Sequence, residues 1–89
     1  RARDAAGASQ LADKFIAENT RFYPGGESST VRGVPGGRCR AFPQYTGSKD
    51  KRTYCVVPVG RYLAEVSDMQ EARAKQAIGA SYLILQQAK

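Results

Sequence analysis

The 89-residue chain has no histidine and no tryptophan, one methionine and only two cysteines. No apolar run approaches the roughly 20 residues that a membrane-spanning helix requires. Without histidine the commonest general base is missing, and every triad built on it is excluded. A zinc site would have to recruit two carboxylates that no motif supplies, because the cysteines are not in Cys-x-x-Cys spacing. No internal repeat and no low-complexity tract is present. No charged-then-apolar leader stands at the start, which reads Arg1-Ala-Arg3-Asp4 without an initiator methionine. The chain is therefore expected to be one domain, 1–89, cut from something longer.

The two cysteines are the most telling residues present. Cys39 lies in Cys-Arg-Ala-Phe and Cys55 in Thr-Tyr-Cys-Val-Val, two strand-like runs with a polar turn between them. That placement favours a disulfide joining the arms of a hairpin, in an oxidising compartment. The alternatives are a metal site and two buried free thiols packed as small hydrophobes. A bond closing this loop would contribute roughly 3 kcal/mol by constraining the unfolded chain, which matters for a domain near the size where a core alone leaves a thin margin.

The spacing predicts helix, loop, hairpin, helix. Ala8, Leu11, Ala12, Phe15 and Ile16 recur at steps of three and four between Asp4 and Phe22, with Asp4 as the start cap and Tyr23-Pro24-Gly25-Gly26 as the stop. Residues 25–37 read as a mobile surface loop. A short strand follows around Cys39 to Pro43, where the proline implies an edge position or an early end. After the turn 46–52, Thr53 to Val59 forms a second strand, with Pro58 and Gly60 marking a bend before extended structure resumes over 61–66. Ser67 and Gln70 fit a capping box for a closing helix over about 68–87, whose stripe is Ala74, Ala77, Ile78, Ser81, Tyr82 and Leu85. Gly79 costs that helix about 1 kcal/mol relative to alanine unless the bare spot permits a close approach.

Candidate chemistry is sparse. Ser48-x-x-Lys51 has the spacing of a serine–lysine nucleophile, but both residues fall in a polar turn instead of on a helix. The acids form no paired constellation, and Gly36-Gly37 is too short for a phosphate loop and opens no helix. The charge of +6 is concentrated between Arg32 and Arg61, where seven basic residues face only Asp50. Arg38, Arg40, Lys49, Lys51, Arg52 and Arg61 are thus candidate contacts for a polyanion, such as anionic lipid, polysaccharide or nucleic acid. Phe42, Tyr45, Tyr54 and Tyr62 interleave with them as stacking platforms do. The bland readings are a solvated strand pair for the charges and core filling for the rings, and these are preferred; nucleic acid is the least favoured partner.

Arg38-Cys39-Arg-Ala-Phe-Pro43, Tyr54-Cys55-Val-Val-Pro-Val-Gly-Arg-Tyr62-Leu-Ala-Glu-Val-Ser67 and the closing Ala80-Ser-Tyr82-Leu-Ile-Leu85 resemble the C-terminal end of a family of uncharacterised secreted lipoproteins of mycobacteria and related actinobacteria. Cys39 and Cys55 fall on the family's paired cysteines, Arg61-Tyr62 on its Arg-Tyr step, and Tyr82 on its helix tyrosine. Ala80-Ser81 departs from the usual Ala-Gln, and the lipobox and N-terminal domain of such proteins are not in this sequence. The resemblance implies an extracytoplasmic, cell-envelope location with an upstream lipid anchor, and carries over no catalytic, metal or cofactor residue.

The expected fold is α+β: a small antiparallel sheet with a disulfide-linked hairpin, flanked by an N-terminal and a C-terminal helix, in the order β-α-β-β-α with Arg1-Ala-Arg3 as the stub of an upstream strand. The expected function is that of a non-catalytic module, not an enzyme and without a cofactor. It would bind a partner protein or envelope component, alongside the remainder of its own polypeptide and an envelope protein complex. A polyanion-binding domain using the basic hairpin is the alternative.

Overall fold

The computed structural model describes residues 3–45 and 47–88. Helix α1 spans Ala5–Phe22, strands β1 to β4 span Glu27–Thr30, Arg38–Pro43, Lys51–Val59 and Tyr62–Asp68, and helix α2 spans Glu71–Ala88. The strands form one antiparallel meander in the order β1-β2-β3-β4. The architecture is α+β with a helix at each end. The proposed upstream stub falls largely on Arg1 and Ala2, which lie outside the described residues.

Alternation along the strands divides the sheet between the helices. One face carries Cys39, Cys55, Val57, Val59, Ala64 and Val66, which pack with Ala74 and Ile78 of α2 and with Val34 from the β1–β2 connection. The other face carries Arg38 and Arg40, whose side chains reach Asp13 and Asn19 of α1. The sheet is thus a layer between two helices. Small residues set α1 close to it, since Ala8 and Ala12 are its buried positions.

Local chemistry explains the boundaries. The Asp4 carboxylate accepts a hydrogen bond from the Gly7 N–H at 2.7 Å, satisfying one free donor of the first helical turn. The helix ends at Tyr23, ahead of Pro24 and of Gly25 at φ +86°. Cys39 and Cys55 stand directly opposite each other on β2 and β3 and form the disulfide. Both are buried, so the bond lies inside the core and not across an exposed hairpin.

Several sequence expectations need correction. The segment 25–37 is not simply a loop, because it contains β1, paired with β2 from Glu27↔Ala41 to Thr30↔Arg38. Its residues, Glu-Ser-Ser-Thr, are mostly exposed and carry no apolar alternation, so period-2 reasoning has nothing to detect. Gly26 makes the pairing possible: a Cβ there would lie 2.5 Å from the Ala41 carbonyl oxygen.

Gly60 does not bend one strand; it reverses the chain. Val59 pairs with Tyr62 across the two residues Gly60 and Arg61, and Gly60 has φ +58°. Glycine at the first position of a two-residue connection is the pattern of a type II′ hairpin turn. Pro58 is tolerated inside β3 because β2 pairing stops at Arg38↔Val56, leaving β3 a local edge beyond that point. Pro43, by contrast, lies on an interior strand and marks its end.

The capping box at Ser67 and Gln70 does not form. Ser67 is within β4 and its hydroxyl accepts from Arg52 Nη1 at 3.0 Å, while the Gln70 N–H donates to Asp68 Oδ1 at 2.8 Å. The strand therefore runs longer and α2 starts at Glu71. Of the expected stripe, Ala74 and Ile78 are buried and Tyr82 and Leu85 pack at its margin, whereas Ala77 is exposed.

Candidate functional site: a groove beside helix α1

Arg40 fixes the end of α1. It is buried, and its guanidinium donates to Asn19 Oδ1 at 2.8 Å and to the Tyr23 carbonyl at 3.1 Å. It also lies 5.9 Å from the centre of the Phe42 ring. A cation at a helix C-terminus meets the negative end of the helix dipole and the free carbonyls there. The Tyr23 ring stacks on Phe42 with centroids 4.7 Å apart, so one buried arginine and one aromatic pair hold the helix end on β2.

This anchorage leaves a groove along one side of α1. Its widest part, about 570 Å³, lies between the Phe22–Gly25 helix end and the Pro43–Tyr45 strand end. It continues past Tyr23 and Gln44 into a hollow of about 180 Å³ floored by Phe42 and Tyr54 and edged by Arg52 and Ser67. Beyond Asn19 and Tyr54 it opens between Glu18 and Glu65. Phe22 and Tyr45 are 68% and 70% exposed, and Tyr23 41%, so three aromatic rings face solvent around the wide end. The groove passes from an aromatic end to a polar end.

At the polar end the Tyr54 hydroxyl donates to Glu65 Oε1 at 2.7 Å. Burial under α1 is the main cause that pushes the Tyr54 hydroxyl well above the ordinary tyrosine range, and the acceptor carboxylate of Glu65 and the more distant Glu18 add to it. Tyr54 is thus held as a neutral donor. No group of three or more residues able to hold a metal ion occurs among the described residues.

The structure distributes the six basic candidates. Arg40 is interior, and Arg38 is paired with Asp13 at the middle of α1. Lys49 and Lys51 are exposed in and after the β2–β3 turn, next to Arg52, which leans on Ser67. Arg61 sits in the opposite hairpin turn, the length of β3 away, or about 27 Å at the usual strand rise. Only the corner of Lys49, Lys51 and Arg52 stays together. Ser48 and Lys51 remain in and beside the turn, where the serine hydroxyl bonds the Asp50 backbone.

Of the interleaved rings, Phe42 is buried, Tyr54 half-buried and Tyr62 at the far hairpin, leaving Tyr45 as the exposed one. Phe22 and Tyr23 have no place in a reading that treats the helix end only as a stop signal. The available signal was the position of rings at both chain breaks, Phe22-Tyr23-Pro24 and Pro43-Gln44-Tyr45.

The model for the domain of unknown function DUF7373, C-terminal, matches residues 1–88. The chain belongs to this family. DUF7373 C-terminal domains carry no assigned activity, so the match fixes kinship and leaves the groove to be interpreted from its residues. No curated protein and no solved structure shows significant similarity to the chain. The buried disulfide is consistent with an extracytoplasmic location, and no helix among the described residues is long and apolar enough to cross a membrane.

Proposed function

We propose that this DUF7373 C-terminal domain is a non-catalytic binding module of a secreted, lipid-anchored cell-envelope protein, and that the groove beside α1 takes an envelope component or partner protein. The observation that carries this reading is the set of exposed rings, Phe22, Tyr23 and Tyr45, around the wide end of a groove whose other end is polar. Aromatic anchors with a few convergent polar groups are how concave sites combine affinity with orientation. The location is supported by the core disulfide and by the resemblance to secreted actinobacterial lipoproteins, whose lipid anchor lies upstream of this segment.

Co-sedimentation of the oxidised domain with purified cell-wall material, and separately with anionic phospholipid vesicles, tests it. The expected result is saturable retention on cell wall, weakened at least about tenfold by Phe22→Ala with Tyr45→Ala, as for central aromatic anchors. Retention on vesicles that falls steeply with salt, and that is abolished by replacing Lys49, Lys51 and Arg52 with alanine, would favour the polyanion reading instead.

A further inference from the structure

We propose that the groove beside α1 recognises an uncharged oligosaccharide, stacking sugar faces on the exposed rings of its wide end and hydrogen-bonding sugar hydroxyls along its polar end. The inference rests on the binding-module reading above and names the ligand class. Its basis is which polar groups of the groove the fold leaves open. Arg52 donates from Nη1 to Ser67, and Asn19 accepts from Arg40 through Oδ1, so the remaining guanidinium N–H groups and the Asn19 amide NH2 have no bond to another described residue. Glu65 accepts from Tyr54 through Oε1, which leaves Oε2, and Glu18 across the hollow has no hydrogen bond or ion pair among the described residues. Open donors and open acceptors therefore stand side by side.

Charge narrows what can lie across them. Arg52 lines the middle of the groove, and Glu18 and Glu65 line its far end, so a polymer of either charge sign meets a like charge along the way. An acyl chain would strip water from both carboxylates without replacing their hydrogen bonds. An extended peptide binds by adding its backbone to a strand edge, whereas this groove is walled by side chains of α1 and of the sheet face. A polyproline segment offers carbonyl acceptors alone and would leave the carboxylates without donors. A hydroxyl both donates and accepts, so neighbouring sugar hydroxyls answer Arg52 and Glu65 together.

The wide end adds the stacking surface. Phe22 from the helix end and Tyr45 from the strand end are both exposed there. The C–H faces of a sugar ring are apolar and weakly positive, and they pack on the negative face of an aromatic ring. From Pro43 on β2 to Glu65 on β4 the groove crosses three strands, about 10 Å at the usual spacing, which exceeds one sugar ring and suits a short oligosaccharide.

Retention of the oxidised domain on cell wall stripped of lipid by solvent and of protein by protease tests the assignment. The competitor is the pool of uncharged oligosaccharides that mild acid releases from that wall and that ion exchangers do not hold. Retention should equal that on intact wall, change less than about twofold between low and physiological salt, and be competed saturably. Tyr45→Ala should weaken it at least about tenfold, Tyr45→Phe should retain it, Glu18→Ala should weaken it, and Arg61→Ala in the far hairpin should leave it unchanged. Retention on intact wall that is lost after protease or solvent treatment, or that the oligosaccharides fail to compete, would overturn the glycan assignment and leave the binding-module reading standing. No retention on intact wall would overturn both.

Discussion

Cys39 and Cys55 face each other at a directly paired position of β2 and β3, with Cα atoms 4.1 Å apart, and α2 covers both. The bond therefore joins the two interior strands at the middle of the core. Reduction should destabilise the domain, and Cys39→Ser with Cys55→Ser should cost about 3 kcal/mol in chemical denaturation. In protein kept from reductant, denaturing thiol labelling should find no free cysteine; two labelled cysteines per chain would contradict the arrangement.

Two glycines should respond in opposite senses to the same substitution. Gly26→Ala drives a methyl into the Ala41 carbonyl and the Phe42 Cβ, and should cost about 1–3 kcal/mol as overpacking of β1 on β2. Gly79→Ala meets Val34 at 3.8 Å, an ordinary contact, so the close approach that would demand glycine is not present. That variant should gain up to about 1 kcal/mol from helix propensity. Thermal unfolding of the two variants beside the parent decides both.

Arg40 should behave as a structural residue. Arg40→Ala leaves Asn19 and the Tyr23 carbonyl without their buried partner and removes the support beneath the stacked Tyr23 and Phe42 rings. A loss of about 2–3 kcal/mol is expected. Lys49→Ala, on an exposed turn, should leave stability within about 0.5 kcal/mol. Equal effects at the two positions would refute the assignment.

Tyr54 makes the alkaline limb of stability steeper. Its hydroxyl is raised in the folded state, so the folded chain holds this proton after the unfolded chain has released it. The stabilisation is complete below the unfolded tyrosine value, about 10, and is lost as pH rises above it toward the folded value. Denaturation midpoints should fall above about pH 10, and Tyr54→Phe should flatten that fall. An unchanged alkaline limb in the variant would show that the raised hydroxyl contributes nothing to it.

Much of the frame was legible because it rests on local chemistry. Asp4 caps α1, Tyr23-Pro24 ends it, and the strand contexts of Cys39 and Cys55 place them in one hairpin. The failures share a cause, which is that tertiary partners decide them. β1 exists because Gly26 lets polar residues reach β2, and Ser67 abandons a capping role because Arg52 takes its hydroxyl. At Gly60 the sequence carries a turn residue, but whether the chain bends or reverses depends on the pairing of Val59 with Tyr62. The groove was hidden for the same reason, since Phe22, Tyr23 and Tyr45 come together only when Arg40 pins the helix end beside the end of β2.

Amide-resolved NMR of the labelled, oxidised domain titrated with soluble cell-wall fragments tests most directly whether the aromatic end of the α1 groove binds an envelope component. Saturable shifts are expected at Phe22, Tyr23, Gln44 and Tyr45, extending toward Tyr54 and absent from the Arg61 hairpin. Shifts confined to Lys49, Lys51 and Arg52, or none at any residue of the groove, would contradict it.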